Sequence, residues 1–156
     1  MTYTREATIA DAIAVINDIR WEDRMEIEGL GHRVTDLPFS LLTSEHSVAF
    51  FADDGTIGGI AGIIPDPNQE GAGMVWMICT NELTKHPIAF VKGAKKWLAE
   101  YGPKYTMLWN LADDRNKFHH KLLKMLGFKA MRKLNVGPYF LPYLEIVKLC
   151  ASPSSG

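Results

Sequence analysis

The sequence predicts a single mixed α/β domain, and three observations lead to this fold class. A continuous apolar segment, 74–79, has the composition of a central strand that is covered on both faces. An amphipathic segment at 86–101 follows it and predicts a long helix. Strand and helix patterns then alternate and end in a pair of strands. We therefore expect a twisted mixed sheet of about six to seven strands, with helices on both faces.

The N-terminal third predicts one strand and three helices. Residues 2–8 form the strand, and Thr8 caps the first helix, with Asp11 three residues later as the partner in a capping box. The second helix, 21–30, carries a run of acidic residues: Glu22, Asp23, Glu26 and Glu28. This run predicts either a solvated face or a wall that faces a basic substrate, with one carboxylate as a general base. A short third helix is predicted at 36–42.

The rest of the chain predicts a hairpin, a central strand and an alternating C-terminal half. Asp53-Asp-Gly-Thr56 has the composition of a hairpin turn, and Asn116 is suited to begin a helix. The predicted strands are 47–52, 57–64, 74–79, 105–111, 128–136 and 143–149, and the predicted helices are 86–101 and one that begins at Asn116.

Bulk properties restrict the class of protein. The 156 residues suffice for one domain with its own core, which we place at 1–150, with 151–156 as a flexible tail. A net charge of −1 gives no electrostatic basis for binding nucleic acid or an anionic membrane. No apolar run reaches the length of a membrane span, and the first residues lack the apolar core of a secretion signal. Two cysteines indicate reduced thiols, so we expect a cytoplasmic protein that is not secreted.

Residues 116–128 carry a family resemblance. An asparagine begins the helix, and Gly127-Phe128 ends it after a buried strand. With the opening Arg5-Glu6-Ala7-Thr8 and the strand–helix unit at 74–101, this layout resembles the acetyl-CoA-dependent N-acyltransferases of the GNAT type. The resemblance implies a single GNAT-like domain, acetyl-CoA as the acyl donor, and an amine as the acceptor. GNAT-like domains often pair through terminal strands, so a homo-oligomer remains open.

The resemblance also assigns a set of candidate site residues. It implies that backbone groups at the end of the central strand, and Asn116 beside it, hold the pantetheine arm. Asn110, at the end of the next strand, would face a substrate amide or make a structural hydrogen bond. Lys85 and His86 would supply positive charge to the pyrophosphate, and Glu26, through water, would deprotonate the amine. The candidate cofactor-binding residues are Met77, Ile78, Cys79, Thr80, Lys85, His86, Asn110 and Asn116. No histidine has metal-ligand spacing with carboxylates or thiols, so we expect no metal.

Two positions depart from the family pattern. Many family members carry a tyrosine seven residues after the asparagine, as the acid that protonates the leaving thiolate, and this chain has Leu123 there. His119 or His120 would replace that acid, because an imidazole titrates near neutral pH, although both also fit ordinary polar positions at a helix edge. The glycine-rich phosphate turn is replaced by residues 80–87, with a carboxylate at Glu82 that repels a phosphate and a proline at Pro87 that removes a backbone donor.

A narrower resemblance leads to a second functional hypothesis. The local patterns Lys104-Tyr-x-x-Leu-Trp-Asn110, Asn116-x-x-His119 and Asp23-Arg24-Met25-Glu26 are similar to the GNAT-like internal virion protein A group of short-tailed bacteriophages. That resemblance implies a virion-associated or assembly protein with degraded catalytic motifs, located in the host cytoplasm or in the particle, with other virion proteins as partners. The alternative is an active acetyl-CoA-dependent N-acetyltransferase.

Overall fold

A computed structural model describes residues 3–150, and the predicted tail at 151–156 lies outside the described residues. Seven strands form one sheet, and five α-helices and three short 3₁₀ turns connect them. The strands are β1 (Tyr3–Glu6), β2 (Glu45–Phe51), β3 (Ile57–Pro65), β4 (Ala72–Cys79), β5 (Met107–Asp113), β6 (Lys129–Val136) and β7 (Leu141–Leu149). The helices are α1 (Ile9–Asn17), α2 (Trp21–Gly29), α3 (Leu37–Thr43), α4 (Pro87–Tyr101) and α5 (Lys117–Met125).

The sheet has the order β1-β2-β3-β4-β5-β7-β6. Within residues 3–150 its only parallel pair is β4 with β5, and every other neighbouring pair is antiparallel. This arrangement confirms the predicted mixed α/β fold, and the strands agree with the predicted ones to within two residues at every end. The sequence did not predict the 3₁₀ turn Asn81–Lys85 between β4 and α4.

Two apolar clusters cover the two faces of the sheet. One cluster holds residues of α1 and α3, including Val15 and Leu41, against Ile60 and Trp76 of the sheet. The other, larger cluster holds the inner faces of α4 and α5. Because successive strand residues point to opposite faces, Trp76 belongs to the first cluster and its neighbour Val75 to the second.

Local sequence explains where the first helix starts and how closely α4 packs. The Thr8 hydroxyl accepts a hydrogen bond from the Asp11 N–H, and the Asp11 carboxylate accepts one from the Thr8 N–H, so the predicted capping box is present. At Gly58 a Cβ atom would overlap the ring of Phe90, so only glycine lets α4 approach β3 at this point. None of the helices between residues 3 and 150 is long and apolar enough to cross a membrane.

Candidate functional site

The parallel strands β4 and β5 pair only at their first residues and then diverge. Their register contains three pairs, of which the last joins Met74 to Trp109. The remaining residues of each strand keep their antiparallel partners on the outer side, β3 for β4 and β7 for β5. The middle of the sheet therefore contains a V-shaped gap, with α5 beside it.

Asn110 lies where the gap begins and bridges its two sides. Its Nδ2 donates to the Val75 carbonyl oxygen at 2.6 Å, and its Oδ1 accepts from the Leu111 N–H at 2.7 Å. The Val75 carbonyl therefore faces the gap. Because backbone groups alternate along a strand, the N–H and C=O of Met77 face the gap as well, whereas those of Ile78 face β3.

The last residue of β4, Cys79, is hydrogen-bonded to α2 and to Arg20, the residue that precedes α2. The Cys79 N–H donates to Asp23 Oδ2 at 2.8 Å, and the Cys79 carbonyl accepts from the Arg20 N–H at 3.0 Å. The backbone of residues 77–79 was expected to hold a ligand. Of these three residues, Met77 is the one whose N–H and C=O point into the gap and are not hydrogen-bonded to Asp23 or Arg20.

The end of β5 is held by the next acidic residue of the same helix. The Asp113 N–H donates to Glu26 Oε2 at 3.0 Å. The fully buried Tyr143 hydroxyl donates to the Glu26 carbonyl at 2.7 Å, which fixes α2 against β7. One helix therefore holds the ends of both diverging strands.

A buried polar cluster fills the space between these ends. Arg20 Nη1 lies 3.0 Å from Asp23 Oδ1, which also accepts from Asn116 Nδ2 at 3.1 Å. The same asparagine nitrogen lies 3.3 Å from Glu26 Oε2, and His119 Nδ1 lies 3.4 Å from that oxygen. Asn116, expected to contact pantetheine, thus directs its amide group to the two carboxylates. Its Oδ1 accepts from the His119 N–H and so caps α5.

The acidic run of α2 divides into two halves. Glu22 and Glu28 leave about half of their side chains exposed, as a solvated face predicts. Asp23 and Glu26 are at most 9% exposed and face the strand ends. The expectation of a wholly solvated face is wrong for these two residues, because each is hydrogen-bonded to a strand N–H that water does not reach.

Burial and charge shift two pKa values in the cluster. Burial raises the pKa of Asp23, and the nearby Glu26 adds to the rise, against the lowering effects of His119 and Arg20. Burial by itself lowers the pKa of His119. The charges of Glu26 and Asp23 and the hydrogen bond to Glu26 outweigh that effect, and the pKa of His119 lies above its ordinary value. The contact with Glu26 therefore favours the protonated form of His119.

The two candidate histidines have different surroundings. His119 lines the cavity in the gap and faces Glu26. His120 Nε2 lies 2.7 Å from the Asp113 carbonyl oxygen and is not among the residues that line the cavity. The structure therefore brings His119 together with Glu26 and Asn110 and directs His120 to the end of β5.

A cavity of about 300 Å³ passes through the gap from one face of the sheet to the other. On the α2–α3 side its lining includes polar residues: His32, Arg33, Asp36 and Ser40. On the α4–α5 side it is lined mainly by buried apolar residues: Leu98, Leu122, Leu123, Leu126, Phe128 and Ile146. This size and composition are those of a small-molecule site, in which a few polar groups are set into apolar walls.

The turn between β4 and α4 differs from a phosphate-binding loop. Its carboxylate, Glu82, is buried, and its oxygens lie 3.2 Å from Lys85 Nζ and 3.4 Å from His86 Nε2. Thr80 accepts from the Glu82 N–H and donates its hydroxyl to the Ile57 carbonyl. Lys85 and His86, which were expected to attract the pyrophosphate, thus already lie against the Glu82 carboxylate. That carboxylate, which was expected to repel a phosphate, is itself paired with these two side chains.

The remaining candidates are structural in this arrangement. Burial raises the pKa of the Cys79 thiol well above its ordinary value, so this cysteine is a neutral core residue and a poor nucleophile. Within residues 3–150, no group of three or more histidine, cysteine, aspartate or glutamate side chains is arranged to hold a metal ion.

Interpretation of the sequence missed two members of the cluster. Arg20 and Tyr143 are both nearly or fully buried, and each orders α2, Arg20 through Asp23 and Tyr143 through the Glu26 carbonyl. The three-residue spacing of Arg20 and Asp23 was the available signal for the first. No local pattern marks Tyr143, which lies 117 residues from its partner.

Comparisons with known proteins agree with this geometry. No protein-family model matches the chain, and no curated protein matches it. Among solved structures, a GNAT family acetyltransferase from Bacillus anthracis matches with a TM-score of 0.71 and 12% identity, covering 95% of this chain and 94% of its own. A GNAT family acetyltransferase from Streptococcus pneumoniae matches with a TM-score of 0.63 and 17% identity, covering 96% of this chain and 99% of its own.

A third match was solved with a ligand. The yncA protein of Salmonella typhimurium, whose structure contains its cofactor acetyl-CoA, matches with a TM-score of 0.70 and 13% identity, covering 100% of this chain and 98% of its own. At such identities these likenesses establish the fold, and residues 3–150 have the GNAT fold.

Proposed function

We propose that this chain is an acyltransferase that moves an acyl group from a coenzyme A thioester to an amine. The observation that carries the proposal is the gap between β4 and β5. It opens after three residue pairs, exposes the backbone of Met77, and has the partly buried His119–Glu26 pair at its edge. The GNAT fold and the acetyl-CoA bound to the Salmonella typhimurium protein support this choice of donor.

The donor would bind chiefly through its pantetheine arm. An extended amide-containing chain in the gap would pair with the N–H and C=O of Met77, as an added strand does. Asn110 fixes the point at which the gap closes and so limits how deep the arm reaches. Glu82 already pairs with Lys85 and His86, so the turn before α4 would contribute little to binding the diphosphate.

The His119–Glu26 pair would carry out the proton transfers of the reaction. The amine nitrogen forms a bond to the thioester carbonyl carbon, and the carbon–sulfur bond breaks. His119 donates its proton to the departing thiolate, and Glu26 receives the proton of the amine through water. The hydrogen bond between the two side chains then returns that proton to His119, which restores the starting state. The products are an amide and a free thiol.

The most direct test combines binding with thiol release. Thermal unfolding is measured with and without acetyl-CoA, since a ligand at about 100 times its dissociation constant adds about 2.7 kcal/mol of stability. Release of free thiol is then followed with a panel of primary amines that includes alkyl amines and a lysine-containing peptide. We expect both stabilisation and amine-dependent release.

A matched pair of variants assigns the acid. His119→Gln should reduce thiol release by about 100-fold or more, which is the usual contribution of a general acid, while it retains the thermal shift. Lys121→Gln changes an exposed residue of the same helix that does not line the cavity, and should leave the rate within about twofold of the parent rate. Absence of any thermal shift with millimolar acetyl-CoA and with longer acyl-CoA thioesters would refute the proposed function.

A second candidate function needs no chemistry. The paired Glu82 and the apolar Leu123 occupy positions where family members bind phosphate and donate a proton, which favours a fold retained as a virion-associated or assembly module. Its partners would be other virion proteins. Mass spectrometry of purified particles tests it, and absence of the chain from particles, together with thiol release in solution, would decide for the enzyme.

A further inference from the structure

The half of the cavity on the α4–α5 side is lined by buried apolar side chains. We define the apolar chamber as the space lined by Leu98, Leu122, Leu123, Leu126, Phe128 and Ile146. Each of these side chains is at most 9% exposed. Leu123 occupies the position at which many family members place a tyrosine hydroxyl, so the chamber wall is apolar at that point as well.

The chamber opens to the gap beside the groups expected to hold the thioester. Asn110 and His119 line the same cavity as the chamber residues, and Met77 lines it on β4. The chamber residues of α4 and α5 belong to the later turns of these helices, so the space extends away from the helix N-termini, where the pantetheine arm would arrive. It thus continues past the point of transfer.

The two halves of the cavity differ in the chemistry that they can accept. The α2–α3 half of the cavity contains the cationic Arg33, the histidine His32 and the acidic Asp36. All three are exposed or partly exposed, so this half suits a polar acceptor that arrives from solvent. The apolar chamber has no charged side chain among its six residues and no exposed one. Only an apolar group would gain free energy by entering it.

We propose that the apolar chamber binds the alkyl chain of the acyl group, so that the preferred donor carries an acyl chain longer than acetyl. This inference rests on the proposed function, since it specifies the donor of that same site. A total cavity of about 300 Å³ leaves room for a short to medium alkyl chain beside the thioester. The acyl carbonyl would lie near Met77, with the chain directed toward Leu126 and Phe128.

The test measures dissociation constants of acetyl-, butanoyl-, hexanoyl- and octanoyl-CoA by titration calorimetry, which requires no knowledge of the acceptor. Burial of one methylene group tightens binding by about threefold to fourfold, so affinity should rise in steps until the chamber is full. Equal affinities, or tightest binding for acetyl-CoA, would overturn the inference and leave the proposed function intact. No binding of any thioester would overturn the proposed function and the inference together.

Variants distinguish binding of the acyl chain in the apolar chamber from nonspecific binding of long acyl chains elsewhere on the protein. Leu126→Phe reduces the chamber and should remove the gain for hexanoyl- and octanoyl-CoA. Leu42→Phe makes the same substitution on the exposed face of α3 and should leave the gain in affinity for hexanoyl- and octanoyl-CoA unchanged. If thermal unfolding shows that Leu126→Phe does not fold, Phe128→Leu enlarges the chamber and should move the optimum to a longer chain. A chain-length profile that neither chamber variant changes would refute the inference.

Discussion

Asp23 and Glu26, one helical turn apart on α2, each accept a backbone hydrogen bond from the last residue of one of the two diverging strands. Asp23 accepts from Cys79 of β4 at 2.8 Å, and Glu26 accepts from Asp113 of β5 at 3.0 Å. In an ordinary parallel pair the two strands would satisfy each other's backbone groups along their length. Here two carboxylates replace part of that pairing, which keeps the strand ends apart without leaving buried N–H groups unpaired.

The first prediction concerns the charge on Glu26. Glu26→Gln keeps an oxygen that accepts from the Asp113 N–H but removes the charge that raises the pKa of His119. NMR titration of the imidazole should therefore show a lower pKa of His119 in this variant than in the parent. Glu22→Gln removes an exposed charge from the same helix and should leave the pKa of His119 unchanged. An unaltered His119 titration in Glu26→Gln would contradict the pairing.

The second prediction is a pH-dependent stability. The pKa of His119 is raised in the folded protein relative to about 6.5 in the unfolded chain. The stabilisation from its charge is therefore complete below the unfolded value and disappears as pH rises through the folded value. His119→Gln should therefore lower the free energy of unfolding in urea by more at about pH 6 than at about pH 9.

The control for this prediction is His32→Gln, in which an exposed histidine is replaced. Its effect on the free energy of unfolding should stay within about 0.5 kcal/mol at both pH values. A cost of His119→Gln that is the same at both pH values would mean that the imidazole is not held as a cation by Glu26.

The third prediction concerns the nucleotide part of coenzyme A. Glu82 is paired with Lys85 and His86 and carries a negative charge of its own. The diphosphate should therefore gain little free energy by binding at the turn before α4. Acetyl-pantetheine and acetyl-CoA should then bind with dissociation constants within about tenfold of each other, or about 1.4 kcal/mol. Glu82→Gln should tighten acetyl-CoA and leave acetyl-pantetheine unchanged. A preference for acetyl-CoA above about 100-fold would show that the turn binds phosphate after all.

The fourth prediction tests how Tyr143 positions α2. A Cβ atom added at Gly29 would overlap the Tyr143 hydroxyl, which donates to the Glu26 carbonyl. Gly29→Ala should cost about 1–3 kcal/mol of stability, and Tyr143→Phe should cost about 1–2 kcal/mol by loss of a buried hydrogen bond. In the double variant the clash is absent, so its cost should be smaller than the sum of the two. Additive costs would mean that the two groups do not meet.

The sequence predicted most of the fold because its signals are local. The apolar run at β4, the stripe of α4 and the Asn116 cap depend on neighbouring residues, and each appears where the pattern predicts it. The turn Asn81–Lys85 was missed because a five-residue 3₁₀ segment has no periodicity to detect.

The site was only partly predictable because its order depends on distant contacts. Asp23 and Glu26 look like solvated helix residues in sequence, and their partners lie 56 and 87 residues away. The direction of the Met77 backbone depends on the register with β3. The difference between His119 and His120 depends on which of them faces Glu26 and which faces the Asp113 carbonyl. None of these relations is present in a local pattern.

Amide hydrogen exchange at Met77 is the most direct test of the site in the gap. Its N–H faces the space where the pantetheine arm would pair, so saturating acetyl-CoA should slow its exchange by about tenfold or more. The Ile78 N–H faces β3 and serves as the internal reference. Slower exchange at Met77 with an unchanged rate at Ile78 is the predicted result. An unchanged rate at Met77 in the presence of bound acetyl-CoA would contradict binding in the gap.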